Sequence, residues 1–85
     1  MNERDRVVRD RLRRLEGQVG GIVRMLEEGR PCEDVVTQLL AVRAAAEHAA
    51  VRLVRDHVDE CMAELPPKRA REAVHEAVAL LGRIG

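Results

Sequence analysis

The sequence predicts an all-α fold, a three-helix protomer with one long central helix. Apolar residues recur at alternating spacings of four and three along most of the chain, which is the period of a helix face rather than a strand. Two breakers, Gly29-Arg30-Pro31 and Pro66-Pro67, cut the chain into three segments. No strand-like alternation, internal repeat or low-complexity tract interrupts the pattern. At 85 residues the chain suits one small domain, residues 1–85, and not two.

The first helix is expected from about Glu3 to Glu28, with Val8, Leu12, Leu15, Val19, Ile22 and Leu26 as its apolar stripe. Gly17, Gly20 and Gly21 interrupt it. Each costs about 1 kcal/mol against alanine in a helix interior, so their expected use is close approach of another helix or a slight bend. Gly29 suits a left-handed helix end, and Pro31 is tolerated in the first turn of the next helix. Glu33 and Asp34 then place negative charge at that helix's positive end.

The second helix is expected from about Cys32 to Ala63, free of proline and glycine. At roughly 1.5 Å per residue it spans about 48 Å. Val35, Leu39, Val42, Ala46, Ala49 and Leu53 form a heptad-like stripe, continued on a neighbouring line by Val54, His57, Val58 and Cys61. The alanine-rich centre admits tight helix contact. A helix of this length in so small a domain needs a partner along it, and an antiparallel pair of helices from two chains is the simplest solution. After Pro66-Pro67, a short third helix from about Lys68 to Arg83 is expected to bury Ala73, Val74, Ala77, Leu80 and Leu81.

Composition reinforces the expectation of an oligomer. The chain has no Phe, Tyr or Trp, so its core must be built from smaller aliphatic side chains and gains by pooling apolar surface between copies. Formal net charge is zero, with 15 basic and 15 acidic residues, but the charges are segregated. Arg4, Arg6, Arg9, Arg11, Arg13 and Arg14 crowd the first turns, while Asp56, Asp59, Glu60 and Glu64 gather late in the second helix. A basic end suits an anion such as nucleic acid; an acidic end favours a cation. No apolar run is long enough to span a bilayer, and no signal-peptide pattern opens the chain. Two cysteines make no disulfide framework, which points to a reducing cytoplasm.

The stretch RDHVDEC places His57 and Cys61 one helical turn apart, on one face. If they bind a metal, they form an open half-site that needs a third donor. Cys32 lies about 37 Å away along a straight helix, beyond any coordination distance. In an antiparallel dimer, however, Cys32 of one protomer meets His57 and Cys61 of its mate, giving two equivalent sites. Two thiolates and one imidazole suit three-coordinate copper(I), while zinc would need a fourth ligand such as water, His75 or a carboxylate. Each residue also has a packing interpretation: a free cysteine often behaves as a small hydrophobe, and a histidine beside a stripe as a hydrogen-bonded neighbour. His48 and His75 read as surface or supporting residues. No nucleophile–base constellation or phosphate loop suggests an enzyme.

The segment RLRRLEGQVGGIVRMLEEGRPCEDVVTQLLAVRAA, followed by DHVDEC, closely resembles the copper-sensitive operon repressor (CsoR) family of bacterial transcription factors. The resemblance covers roughly Asp10 to Leu81. It implies an antiparallel dimer assembling as a dimer of dimers, whose metal-free tetramer binds double-stranded operator DNA and represses metal-efflux genes until copper(I) weakens that binding. By the same resemblance the metal ligands are Cys32, His57 and Cys61; the donor set itself still admits zinc(II) as an adventitious occupant. Glu76 matches a glutamate that partners the ligand histidine, and Arg11, Arg14 and, more weakly, Arg43 match DNA-contacting positions.

The chain departs from that family where Gly20 replaces a usual arginine and Pro31 replaces a tyrosine found in some copper sensors. It has no N-terminal histidine of the kind that nickel-sensing relatives use. His57 argues against the sulfur-sensing branch, which keeps both cysteines without the histidine. The alternatives are a thiol (persulfide) or aldehyde sensor of the same family, and a helical interaction protein that binds no DNA.

Overall fold

The computed structural model describes residues 2–83. Three helices account for nearly all of them: α1 over Glu3–Glu27, α2 over Cys32–Glu64 and α3 over Pro67–Leu81. Each lies within a few residues of the span that its breakers predict, and no strand occurs among the described residues.

Local chemistry sets the ends. Asn2 caps α1 by accepting a hydrogen bond from the backbone N–H of Asp5 at 2.8 Å, a signal ahead of the periodic stretch. At the other end the N–H of Gly29 donates to the carbonyl of Leu26 and that of Arg30 to Met25, while Gly29 takes φ +69°. This pair of bonds is a Schellman motif, and it needs a residue without a Cβ. Pro31 stands just before α2, its carbonyl accepting from the N–H groups of Asp34 and Val35. Pro66 and Pro67 open α3, where the missing N–H costs no helical bond.

The chain forms two compact units, Met1–Ala49 and Ala50–Gly85, and α2 passes uninterrupted through the boundary. In the first unit α1 lies against the first half of α2. The predicted stripes divide there into two seams. Val8, Leu15 and Ile22 of α1 are buried, as are Val35 and Ala49 of α2. The residues that alternate with them remain open: Leu12, Val19 and Leu26 on α1, and Leu39 on α2, are 44–63% exposed. Each set repeats every seven residues, so a single helical neighbour covers one seam and leaves the next uncovered.

The glycines do not mediate close approach within the chain. A Cβ at Gly17 would meet nothing within 4 Å, and at Gly20 or Gly21 only the guanidinium of Arg24. The close approach of another helix expected at these positions is thus not made by a helix of the same chain.

In the second unit, the end of α2 and α3 bury Cys61, Ala70 and Ala77, with Ala73, Val74 and Leu81 half-buried. Leu80, expected on the buried face, is 52% exposed, because the covered line runs through the small residues Ala70, Ala73 and Ala77 instead. One charged side chain is buried here. Asp56 is 8% exposed, and Arg52 Nε donates to both of its carboxylate oxygens at 3.3 Å. Position 56 extends the Val35, Val42, Ala49 repeat, so the heptad pattern carries a carboxylate into a site otherwise taken by aliphatic groups. Removing that carboxylate would leave the Arg52 guanidinium without its partner. We expect Asp56→Ala to lower stability by roughly 1–3 kcal/mol, below the cost of breaking a fully buried pair because Arg52 is partly solvated. Urea unfolding at fixed protein concentration reads this directly, and removal of the exposed Glu47 carboxylate should change stability by no more than about 0.5 kcal/mol.

Candidate metal centre and basic groove

The spacing of His57 and Cys61 is realised as a close pair in the second unit. Cys61 Sγ and His57 Nε2 lie 3.5 Å apart on successive turns of α2. The thiol is buried and the imidazole exposed, so the pair has one protected donor and one that reaches solvent. Two donors bonded to one metal at about 2.0 and 2.3 Å with a near-tetrahedral angle stand about 3.5 Å apart, so the side chains already hold the separation that joint ligation requires. Among the described residues of a single chain, no three His, Cys, Asp or Glu side chains gather around a metal-sized point. The pair is half of a donor set.

Cys32 is an exposed free thiol at the first residue of α2, in the other unit. Glu76 is exposed on α3 and makes no hydrogen bond to His57 in the single chain. His75 is exposed beside it.

The basic residues of α1 separate by what they touch. Arg6 reaches Glu3 at 4.0 Å and Arg9 reaches Asp10 at 3.2 Å. Arg11 and Arg14 have no ion pair among the described residues, and both line a groove of about 460 Å³ between α1 and the first half of α2. The opposite wall carries Ala44, Ala45 and His48. Arg43 is not part of it; this residue is exposed and its Nε donates to Glu47 at 3.2 Å. His48, expected at the surface or in a supporting place, is exposed and lines the opposite wall. Its neighbours on that face of α2 are the short Ala44 and Ala45 side chains.

The known relatives of this chain fall in one class, transcriptional repressors. The family described as metal-sensitive transcriptional repressor matches residues 4–83. The chain is 44% identical to the copper-sensing transcriptional repressor CsoR of Bacillus subtilis (strain 168) over 62 residues, 73% of this chain and 60% of that protein. It is 50% identical to the copper-sensing repressor RicR of Mycobacterium tuberculosis (strain ATCC 25618 / H37Rv) over 52 residues, 61% of this chain and 54% of that one. With the CsoR of Mycobacterium ulcerans (strain Agy99) it shares 32% identity over 79 residues, 92% of this chain and 68% of its relative. Among solved structures, the nickel-responsive transcriptional regulator InrS superimposes with a TM-score of 0.80 at 32% identity, covering 89% of this chain and 90% of that one.

The chain thus belongs to the metal-sensitive transcriptional repressor family. It spans 60% and 54% of the length of the first two relatives. No helix among the described residues is long and apolar enough to cross a membrane.

Proposed function

We propose that the chain is a copper(I)-responsive transcriptional repressor of the cytoplasm, residues 1–85 serving as one sensing and DNA-binding domain. The metal-free form binds operator DNA as a homotetramer, a dimer of antiparallel dimers. Copper(I) binding then releases the DNA and derepresses copper-efflux or resistance genes.

The observation that carries this reading is the 3.5 Å pair of Cys61 and His57 near the end of a continuous helix that begins at Cys32. The pair supplies a thiolate and an imidazole but lacks a third donor. Cys32 of a second protomer supplies it when two α2 helices run antiparallel, and the uncovered Leu12, Val19, Leu26 and Leu39 seams are apolar surface for such a mate. Two thiolates and an imidazole favour soft, three-coordinate copper(I) over zinc(II), which would be an adventitious occupant. Glu76 acts as a partner of His57 that ties the site to the rest of the assembly. Arg11 and Arg14 contact DNA phosphate, with Arg43 contributing less because Glu47 already engages it.

Nickel is the second reading, favoured by the likeness to InrS. The copper-sensing relatives and the two-thiolate donor set weigh the other way. Anaerobic titration of the reduced protein on duplex DNA from upstream of its own gene, read by fluorescence anisotropy, separates these cases. Release at one copper(I) per protomer, with nickel(II) inert, is the expected result. Release by nickel(II) alone, or by polysulfide or aldehyde with copper(I) inert, would overturn it.

A further inference from the structure

The groove between α1 and the first half of α2 pairs two guanidinium groups, from Arg11 and Arg14, with the amide of Gln18 and the imidazole of His48. Its remaining walls are Leu15 and two alanines, and no Asp or Glu lines it. The carboxylates beside Arg11 and His48 in sequence, Asp10 and Glu47, are held by Arg9 and Arg43. On the α1 side the only ionisable groups facing the groove are Arg11 and Arg14, and on the α2 side the only one is His48. All four polar residues are exposed, so a ligand can reach them from solvent.

We propose that this groove is a phosphodiester-binding site in which His48 and Gln18 complete the contact begun by Arg11 and Arg14, so that operator binding takes up a proton at His48. The inference rests on the repressor reading and adds to it a residue and a pH dependence.

The chemistry follows from the donor inventory. A phosphodiester is an anion that only accepts hydrogen bonds. Arg offers donors in every state, and a Gln amide offers two. A neutral imidazole offers one donor and one acceptor, whereas the imidazolium offers two donors and a charge. A phosphate in the groove therefore favours the protonated ring, and by linkage lower pH favours the bound phosphate. Histidine is the side chain able to make this change of charge near neutral pH. The short Ala44 and Ala45 side chains leave the imidazole accessible to a duplex backbone rather than covering it.

The test uses full-length, metal-free, reduced protein and the same upstream duplex, with anisotropy titrations at pH 6, 7 and 8 and constant ionic strength. Wild type should bind at least about threefold more tightly at pH 6 than at pH 8, a gain expected from protonation of one phosphate-contacting imidazole per engaged protomer. His48→Gln should remove that gain while still binding at pH 8, and His48→Arg should bind tightly with no such gain. His75→Gln should behave as wild type. Circular dichroism at each pH checks that the helices persist. A pH dependence that survives in His48→Gln, or its absence from wild type, would overturn the assignment while leaving the repressor reading intact. Inorganic phosphate, added at the concentration of the DNA phosphates, should not reproduce the shift in the His48 ring resonances that the duplex causes; an equal shift would make the groove a small-anion site and overturn the inference. Failure of every protein to bind the duplex at any pH would instead remove the repressor reading on which the inference depends.

Discussion

A Cys32→Ser chain and a Cys61→Ala chain, each unable to bind copper(I) tightly alone, should together regain about one tight site for every four chains after co-refolding. In an antiparallel dimer of the two variants, one site loses both cysteines and the other keeps Cys32 from one chain with His57 and Cys61 from its mate. Random pairing makes about half of the dimers mixed, which sets the recovered stoichiometry. Copper(I) competition against a chelator of known affinity measures it. A site complete within one chain would give no recovery on mixing. A site needing only His57 and Cys61 would be intact in Cys32→Ser before any mixing. The experiment therefore reads the origin of the third donor separately from the identity of the metal.

The second large effect concerns DNA. Arg11→Ala or Arg14→Ala should weaken duplex binding at least tenfold at about 0.1 M salt and flatten the slope of log K against log salt by ~1 for each protomer that touches the duplex. The loss should shrink as salt rises, because the contribution is release of counterions from phosphate. Arg43→Ala should change both quantities much less, since its guanidinium already engages Glu47 at 3.2 Å. Equal slopes for all three variants would mean that the groove does not face the DNA backbone.

The helices were legible because their limits are written in residues with single uses. Gly29 adopts a left-handed conformation, and Pro31, Pro66 and Pro67 cannot continue a helix without losing a hydrogen bond. Which apolar residues would be covered was not legible. Spacing by four and three places Leu12 and Leu15 on one broad face, but only the position of a neighbouring helix decides that Leu15 is buried and Leu12 is not.

The metal pair shows the same division. A separation of four residues fixed His57 and Cys61 on adjacent turns, yet not that the sulfur would be enclosed and the ring open. In the sequence Asp56 stands out only as part of an acidic cluster. Its place one heptad beyond Ala49, with Arg52 a turn earlier, was the sign of a buried ion pair, visible once the repeat was carried past the alanines. Cys32 belongs to a different compact unit from His57 and Cys61, and the ligand role proposed for it rests on a second chain, which no single-chain pattern describes.

Among the described residues, no side chain of the single chain is less than 2% exposed, and the buried set includes three alanines and a cysteine. In the proposed dimer such a chain gains much of its burial from its mate, so folding and association are expected to become one equilibrium with a concentration in it. Each tenfold dilution then shifts that equilibrium by about 1.4 kcal/mol per dimer dissociated. Thermal midpoints recorded at two concentrations will differ, and stability comparisons between variants require matched stocks. In the proposed dimer the lifetime of any one pairing of chains is then bounded by that same coupled step.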